Sequence, residues 1–238
     1  MRIYFDDNNY KLHFGLKGFK SQNVLTKEEL SLLRDYRGLY DYSSLKPAQW
    51  KAKRVLDVGL SLVGSILTAP IMLLSAFAVK LSSKGPVFFK QERIGKNGNT
   101  FIIYKFRTMK NNSATDHNVQ NSCDERVTKV GRFLRKFSLD ELPQFFNIIK
   151  GDMSIVGPRP LPLRDHKIRK QGNDFVIRYV FKPGASLYYE KSAPPHFIDD
   201  NPEFSNIAEK EYVSDWNLKK DFKACIKTLS KMLRGDNY

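Results

Sequence analysis

Two adjacent carboxylates, Asp140 and Glu141, are the residues best suited to chemistry in this chain. A carboxylate in the first turn of a helix, close in sequence to Arg135, remains ionised and could hold a hard cation or act as a nucleophile. The same stretch also has the spacing of a capping box from Ser138 to Glu141, in which the side chains only satisfy backbone N–H groups. The local pattern leaves both interpretations open, and they are compatible.

Basic residues on either side of this pair have the chemistry to bind phosphate. In the run Gly157–Pro160 the prolines fix φ and disfavour helix at the preceding residue, so Arg159 is held on a stiff, extended backbone. An arginine of limited freedom is a good bidentate phosphate ligand, although an exposed turn is an equally simple interpretation. On the predicted strand Phe101–Thr108, the period of two places Lys105 and Arg107 on one face, which is either a binding face or a solvated one.

Short apolar patterns predict the elements that carry these side chains. Val87–Phe89 and Phe101–Thr108 are rich in β-branched and aromatic residues and are separated by turn residues, which predicts a β-hairpin. Apolar residues three and four positions apart then predict a helix from Val127 and a second helix that begins at Ser138 and ends at Gly151. The carboxylate pair therefore falls at a junction between two helices.

A long uncharged segment, Val58–Val79, precedes the hairpin. Its roughly 22 residues would reach about 33 Å as a helix, which is a full hydrocarbon thickness. Pro70 lies near its middle and is expected to bend it. Basic residues flank both ends, which favours a helix-break-helix that enters the membrane and returns to the same side over a single span. A buried helix hairpin in a soluble core is the remaining alternative.

A basic amphipathic helix is predicted near the C-terminus. Its apolar stripe consists of Leu218, Phe222, Cys225, Ile226, Leu229 and Leu233, and lysines and an arginine fill the other positions. This stripe either lies at an anionic membrane interface or covers the core, and the pattern does not decide between them.

The net charge of +15 predicts a polyanionic partner, which by charge alone is nucleic acid, an anionic membrane surface or a phosphate-bearing substrate. The two cysteines, Cys123 and Cys225, have no metal-binding or disulfide-framework spacing. The polar, charged stretch Met1–Trp50 has no signal-peptide pattern, so we expect a cytoplasmic N-terminus.

Six motifs in their order along the chain closely resemble the bacterial sugar transferase family, the monotopic phosphoglycosyl transferases. They are the apolar segment broken at Pro70, Gln91–Gly95, Tyr104–Met109, Arg126–Arg135, Ser138–Gln144 and Lys150–Pro160. Motifs of this length and order are highly specific, and they cover about Lys51 to Pro160. The resemblance departs at Ala69–Pro70, where the family has Ser-Pro, and at Lys182–Ala185, where it has Arg-Pro-Gly-Ile.

The resemblance implies a reaction and its residues. Asp140 and Glu141 correspond to the catalytic dyad, and Mg²⁺ is the implied cofactor, with Asp140 among its ligands. Arg135 and Arg159 correspond to basic residues that bind phosphate or substrate, and Lys105 and Arg107 are further candidates. The implied reaction moves a sugar-1-phosphate from a UDP-sugar to polyprenyl (undecaprenyl) phosphate with release of UMP, which initiates bacterial glycoconjugate synthesis.

The same resemblance implies a place at the cytoplasmic face of the bacterial inner membrane, with an anionic membrane surface and downstream glycosyltransferases as partners and no nucleic acid. We therefore expect an α/β, mainly helical, membrane-associated fold with a re-entrant segment, a small hairpin and a basic C-terminal helix. Its predicted parts are an N-terminal extension (1–50), the membrane segment (51–84) and a cytoplasmic catalytic domain (85–238). The alternatives are a non-catalytic basic module that binds anionic lipid or nucleic acid, and a single-step transferase in which Asp140 only ligates the metal.

Overall fold

The computed structural model describes residues 5–6, 11–12, 20–41, 45–110, 126–169, 173–186 and 202–234. The helices are α1 (Lys27–Tyr40), α2 (Pro47–Ser82), α3 (Lys129–Lys136), α4 (Gln144–Lys150), α5 (Leu163–Arg169), α6 (Pro202–Ser214) and α7 (Leu218–Arg234). The strands are β1 (Phe5–Asp6), β2 (Lys11–Leu12), β3 (Phe88–Ile94), β4 (Thr100–Phe106), β5 (Ser154–Val156) and β6 (Gly184–Ser186). The strands pair in twos, β1 with β2 and β3 with β4 antiparallel, and β5 with β6 parallel. The predicted class, mainly helical α/β with a long apolar helix, a small hairpin and a C-terminal helix, is confirmed.

β3 and β4 form the predicted hairpin. Phe88 pairs with Phe106 at its open end, and Ile94 pairs with Thr100 next to the turn. β3 is longer than the apolar pattern indicated because it continues through the polar and charged residues 90–93, whose strand propensity is low. Backbone pairing with β4 outweighs that low propensity.

The chain before α1 lies across the turn of this hairpin. Thr100 donates its backbone N–H to the carbonyl of Gln22 at 2.8 Å, and Val24 donates to the carbonyl of Gly98 at 3.1 Å. Gly98 has a φ of 76°, and a Cβ there would lie 2.4 Å from a side-chain atom of Leu25. Glycine is therefore required at this contact by both its conformation and its size.

The largest apolar core lies where α1, α6 and α7 meet a 3₁₀ segment, Asn173–Val180. Leu33 of α1, Tyr212 of α6 and Trp216 are all buried in it. Trp50, near the start of α2, packs edge-on against Trp216 with ring centroids 5.3 Å apart. The N-terminal helix, for which the sequence indicated no role, is thus packed into this core.

Charged groups attach the start of α2 to the rest of the protein. Lys53 is buried and forms an ion pair with Asp221 of α7 at 2.6 Å. Asp57, also buried, accepts a hydrogen bond from Ser154 Oγ of β5 at 2.8 Å. Arg54 donates to two carbonyls at the end of α4. These contacts hold α2 against β5, α4 and α7.

α2 continues as helix through Pro70, so the predicted break does not interrupt the secondary structure, and the bend there stays a prediction. A proline's fixed φ is compatible with a helix, so Pro70 costs one backbone hydrogen bond without ending the element. The hydroxyls of Ser65 and Thr68 donate to the carbonyls of Ser61 and Gly64, each at 2.7 Å. Such back-bonding from serine and threonine accompanies helix bending.

The two faces of α2 differ in the size of their side chains and in their exposure to solvent. On the inner face, Ser61 and Val79 are fully buried, and Gly64 lies so close to α4 that a Cβ would come within 2.9 Å of the Phe145 ring. The outer face is apolar and exposed, and it comprises Leu60, Leu62, Val63, Ile66, Leu67, Ile71, Leu73, Leu74, Phe77 and Leu81. Within the described residues, no other element buries this outer face.

Candidate active site

The two candidate carboxylates lie in a 3₁₀ turn, Leu139–Glu141, between α3 and α4. The predicted capping box is wrong: Ser138 has a left-handed backbone with φ 52°, and its side chain makes no capping hydrogen bond. α4 begins only at Gln144, with Pro143 as its N-cap, a place where the missing N–H of proline costs no intrahelical hydrogen bond. The turn therefore presents the two side chains outside a regular helix.

Glu141 forms an ion pair and a hydrogen bond with Lys105 of β4. The surrounding protein removes water from Glu141 and so raises its pKa, but the positive charge of Lys105, its hydrogen bond, and then Arg159 and Arg93 outweigh this effect. The pKa of Glu141 therefore lies below its ordinary value, and the group is ionised at neutral pH. This carboxylate has a fixed orientation and a permanent negative charge.

Asp140 stands in a different electrostatic environment from its neighbour. Loss of water and then the negative charge of Glu141 raise the pKa of Asp140 to about 6, against the opposing charges of Lys105 and Arg135. Among the described residues its carboxylate forms no side-chain hydrogen bond or ion pair. At neutral pH the Asp140 carboxylate is therefore ionised in most molecules and is poorly solvated. Such a group is a good nucleophile or metal ligand.

Arg135 reaches the site from α3 and is held by Thr108. Its Nε donates to Thr108 Oγ1 at 2.9 Å. Thr128, the N-cap of α3, donates its backbone N–H to the carbonyl of Thr108 at 3.0 Å. A Cβ on Gly131 would lie 2.1 Å from that carbonyl oxygen, so glycine allows α3 to approach the end of β4. This packing sets Arg135 close enough to lower the pKa of Asp140.

Arg159 comes from the loop Gly157–Pro160, which follows β5, and its side chain is exposed. The atypical Lys182–Ala185 segment contributes to β6, which supports this loop. Gly184 donates its N–H to the carbonyl of Pro158 at 2.9 Å. A Cβ on Gly184 would lie 2.1 Å from the backbone nitrogen of Gly157, so the two backbones meet more closely than any other residue would permit.

Arg93 of β3 belongs to the same cluster, and the sequence reasoning gave it no role. Its Nη1 donates to the carbonyl of Pro160 at 2.8 Å, and its charge lowers the pKa of Glu141. Ile94 also donates its N–H to the carbonyl of Leu161 at 2.9 Å. The available signal was the position of Arg93 inside the Gln91–Gly95 motif, but its contact depends on β3 lying beside a loop almost 70 residues later.

Arg107 is the predicted candidate that the structure does not bring to the carboxylates. Its guanidinium is buried and donates to the carbonyls of Val79, Ser83 and Lys84, where α2 ends. β4 ends at Phe106, so Arg107 lies beyond the ladder and the strand alternation does not place it beside Lys105. Arginine at a helix C-terminus satisfies carbonyls that have no intrahelical partner.

The described residues contain no cluster of three or more His, Cys, Asp or Glu side chains arranged to hold a metal. Mg²⁺ commonly takes one or two protein carboxylates and completes its shell with water and substrate phosphates. Asp140 and Glu141 are hard oxygen donors, and the repulsion that raises the pKa of Asp140 would be relieved by a divalent cation. The donor set therefore fits Mg²⁺ with a phosphate-bearing substrate.

The arrangement has the parts needed for phosphoryl transfer. Asp140 is an ionised carboxylate with no side-chain hydrogen bond or ion pair in the described part of the chain, Lys105 fixes the second carboxylate, and the charges of Arg135, Arg159 and Arg93 act on this pair. Cations placed around a nucleophile attract a phosphate and stabilise the charge that develops during its transfer. The chemistry that this geometry can perform is attack on a phosphorus atom.

Comparisons with known proteins agree with this chemistry. The profile of the family described as bacterial sugar transferase matches residues 48–235. The UDP-glucose:undecaprenyl-phosphate glucose-1-phosphate transferase of Escherichia coli K12 is 38% identical over 199 residues, covering 81% of this chain and 42% of that protein. A protein of the same name from Caulobacter vibrioides is 37% identical over 193 residues, covering 78% of this chain and 71% of that protein.

A third relative has a different sugar in its name. The UDP-N-acetylgalactosamine-undecaprenyl-phosphate N-acetylgalactosaminephosphotransferase of Aeromonas hydrophila is 36% identical over 186 residues, covering 77% of this chain and 44% of that protein. The chain thus spans less than half the length of two of these three relatives. Similarity of this degree to proteins with different sugars does not identify a sugar.

Proposed function

The chain belongs to the bacterial sugar transferase family, and we propose that it transfers a sugar-1-phosphate from a UDP-sugar to polyprenyl (undecaprenyl) phosphate with release of UMP. The observation that carries this proposal is Asp140, an ionised carboxylate without a side-chain partner among the described residues, next to cations from β4 and α3. The printed activities of the relatives supply the two substrates. Initiation of bacterial glycoconjugate synthesis is the corresponding role.

The proposed reaction has two steps at one phosphorus atom. The Asp140 carboxylate attacks the sugar-linked phosphorus of the UDP-sugar, the bond from that phosphorus to the UMP oxygen breaks, and UMP leaves. Asp140 then carries the sugar phosphate as an acyl phosphate. An oxygen of polyprenyl phosphate attacks the same phosphorus, the bond to Asp140 breaks, and the carboxylate is restored.

The other residues bind and orient the substrates in this proposal. Arg135 and Arg159 bind phosphate oxygens, and Lys105 fixes Glu141, which assists the acceptor or the metal. Arg93 holds the loop that carries Arg159. Mg²⁺, bound by Asp140 and substrate oxygens, would supply charge neutralisation on the diphosphate.

UMP release tests the proposal directly. The full chain, purified in detergent or nanodiscs, is incubated with Mg²⁺, undecaprenyl phosphate and a panel of UDP-sugars, and UMP is measured. We expect release from at least one UDP-sugar, its loss with EDTA, and its recovery when Mg²⁺ is restored. A membrane-binding module without catalysis would release no UMP from any donor, and that result would overturn the proposal.

We further propose that α2 is a re-entrant membrane helix at the cytoplasmic face of the inner membrane. Among the described residues it is the one helix long and apolar enough to cross a bilayer, and only 11% of its most apolar window is buried within the protein. Both of its ends nevertheless contact the part of the protein that lies outside α2. Lys53 makes this contact at the start of the helix and Arg107 at its end. A crossing helix would carry one end about 30 Å away from that part, so these contacts support re-entry.

α7 supports a second point of membrane attachment. Its stripe Phe222, Ile226, Leu229 and Leu233 is exposed, whereas Asp221 and Ala224 on another side of the helix are buried. Lysines and Arg234 lie beside the stripe, so they can reach lipid phosphates while their neighbours enter the apolar layer. This exposure favours the membrane-interface interpretation of α7 over the core-covering one.

Lipid-dependent quenching at α7 tests this attachment. In full-length protein whose own cysteines are replaced, a fluorophore is placed at Leu229→Cys in the stripe or, as a matched control, at Lys227→Cys on a different side of the same turn. In nanodiscs rich in anionic lipid, a quencher on the lipid chains is expected to quench the first label at least about threefold more than the second. Equal quenching at the two positions would contradict the proposal.

A further inference from the structure

A buried ion pair lies behind the loop that carries Arg159. Arg178, in the 3₁₀ segment, and Glu209, in α6, are 3% and 1% exposed, and their Nη2 and Oε1 atoms are 2.5 Å apart. The Arg178 guanidinium also lies over the Phe175 ring, 5.1 Å from its centroid. The proposed reaction makes no use of this pair.

Stability alone does not account for this pair. Withdrawing two charges from water is costly, and well-packed apolar residues of similar volume often stabilise a fold as well or better. The Nε and Nη1 atoms of Arg178 are buried without a hydrogen-bond partner among the described residues, which adds to that cost. Retaining a charged pair here is therefore better explained by what its geometry holds in place.

Glu209 also accepts a hydrogen bond from the backbone of the loop Gly157–Pro160, which carries Arg159. Its Oε1 accepts a hydrogen bond from the N–H of Arg159 at 3.3 Å. Because Pro158 and Pro160 have no N–H, this is the only backbone donor between Pro158 and Pro160. Elsewhere in the loop, Gly157 donates its N–H to the carbonyl of Ser186 at 3.0 Å, and the carbonyls of Pro158 and Pro160 accept from Gly184 and Arg93. The direction of the Arg159 N–H is thus tied to Glu209 Oε1.

We propose that Glu209 is a positioning residue for the reaction, oriented by Arg178, and that it fixes the direction in which Arg159 leaves the loop. This inference rests on the proposed function, in which Arg159 binds a phosphate of the UDP-sugar. Glu209 does not touch substrate. Misplacement of a binding group by about 1 Å costs on the order of 100-fold in rate, so a small change in loop direction has a large effect.

Two double variants isolate the acceptor oxygen. Arg178→Met with Glu209→Gln removes both charges but keeps a side-chain carbonyl at position 209, whereas Arg178→Met with Glu209→Leu removes the acceptor as well. Both avoid leaving an unpaired buried charge, and equal melting temperatures serve as the check on folding. We expect the glutamine variant to keep most of the kcat/KM for UDP-sugar and the leucine variant to lose about 10- to 100-fold, mainly through a higher KM.

Arg159→Ala in each background shows whether the effect passes through Arg159. If Glu209 acts by positioning Arg159, this substitution costs much less in the leucine variant than in the glutamine variant, because the positioned arginine is already lost. Equal kcat/KM in the two double variants, or an equal cost of Arg159→Ala in both, would overturn the inference. Failure of the proposed function is distinguishable, since the wild-type chain would then release no UMP.

Hydrogen exchange gives a second measurement that needs no activity. The Arg159 amide is the single exchangeable backbone proton between the two prolines, so its deuterium uptake reports this hydrogen bond alone. We expect its exchange to be at least about tenfold faster in the leucine variant than in the glutamine variant, with the flanking strands unchanged. Equal rates would show that Glu209 does not hold the loop.

Discussion

Replacing Asp140 by asparagine is expected to lower UMP release by a factor on the order of 10³ or more and to abolish labelling of the protein by a UDP-sugar that is labelled in its sugar. The amide has nearly the same size as the carboxylate, so the turn is preserved, but it has neither the negative charge nor the nucleophilic oxygen. The measurement is the incubation of wild type and variant with donor and Mg²⁺ without acceptor, followed by denaturing separation of labelled protein.

Asp35→Asn makes the same chemical change at an exposed position on α1 and serves as the control, with labelling and UMP release expected to match wild type. Equal labelling of the Asp140 variant and wild type would rule out a covalent role for Asp140. Loss of UMP release in the variant without any trapped adduct in wild type would instead favour the single-step transferase, in which Asp140 is only a metal ligand.

Replacing Lys53 by methionine is expected to lower the free energy of unfolding by about 3–5 kcal/mol. Among the described residues, the substitution leaves the buried Asp221 carboxylate with two neutral donors, the Tyr212 hydroxyl at 2.8 Å and Trp216 Nε1 at 3.1 Å. It also removes the contact from Lys53 to the carbonyl of Val156, which ties α2 to β5. Thermal and denaturant unfolding in detergent measures the loss.

A surface ion pair provides the matched control for that experiment. Lys220 and Asp215 are also 2.6 Å apart, but the Asp215 side chain is 78% exposed. Because water and salt screen exposed charges, Asp215→Asn is expected to cost less than about 1 kcal/mol. Similar small losses in the two variants would show that the Lys53–Asp221 pair does not anchor α2.

The candidate site was predictable in large part because its residues sit in long contiguous motifs. Asp140, Glu141, Arg135 and Arg159 were singled out from such runs, and the structure places their charges around one turn. Their catalytic and binding roles remain predictions. Arg93 was missed since its contact with Pro160 joins segments far apart in sequence, and no local pattern encodes that distance.

Local patterns were least reliable where a tertiary contact competed with them. The spacing from Ser138 to Glu141 fits a capping box. However, α4 begins only after Pro143, and Glu141 forms an ion pair with the Lys105 ammonium. Arg107 fits a strand alternation, yet β4 stops at Phe106 and the end of α2 takes its guanidinium. In each case a tertiary partner offered a stronger interaction than the local one, and the local pattern contains no information about that partner.

Apolar periodicity and turn residues act over a few neighbouring residues, so the sequence alone predicted the hairpin, α2, α3 and α7, but not α1, α5 or α6. It also determined the order of the motifs that carry the site. Only the tertiary structure decided which faces are covered. An amphipathic pattern states that α7 has an apolar stripe, but exposure of Phe222 and burial of Ala224 depend on which side packs against β5 and β6. The same holds for α2, because hydrophobicity permits a span, whereas contacts at both ends depend on charges supplied by distant residues such as Asp221.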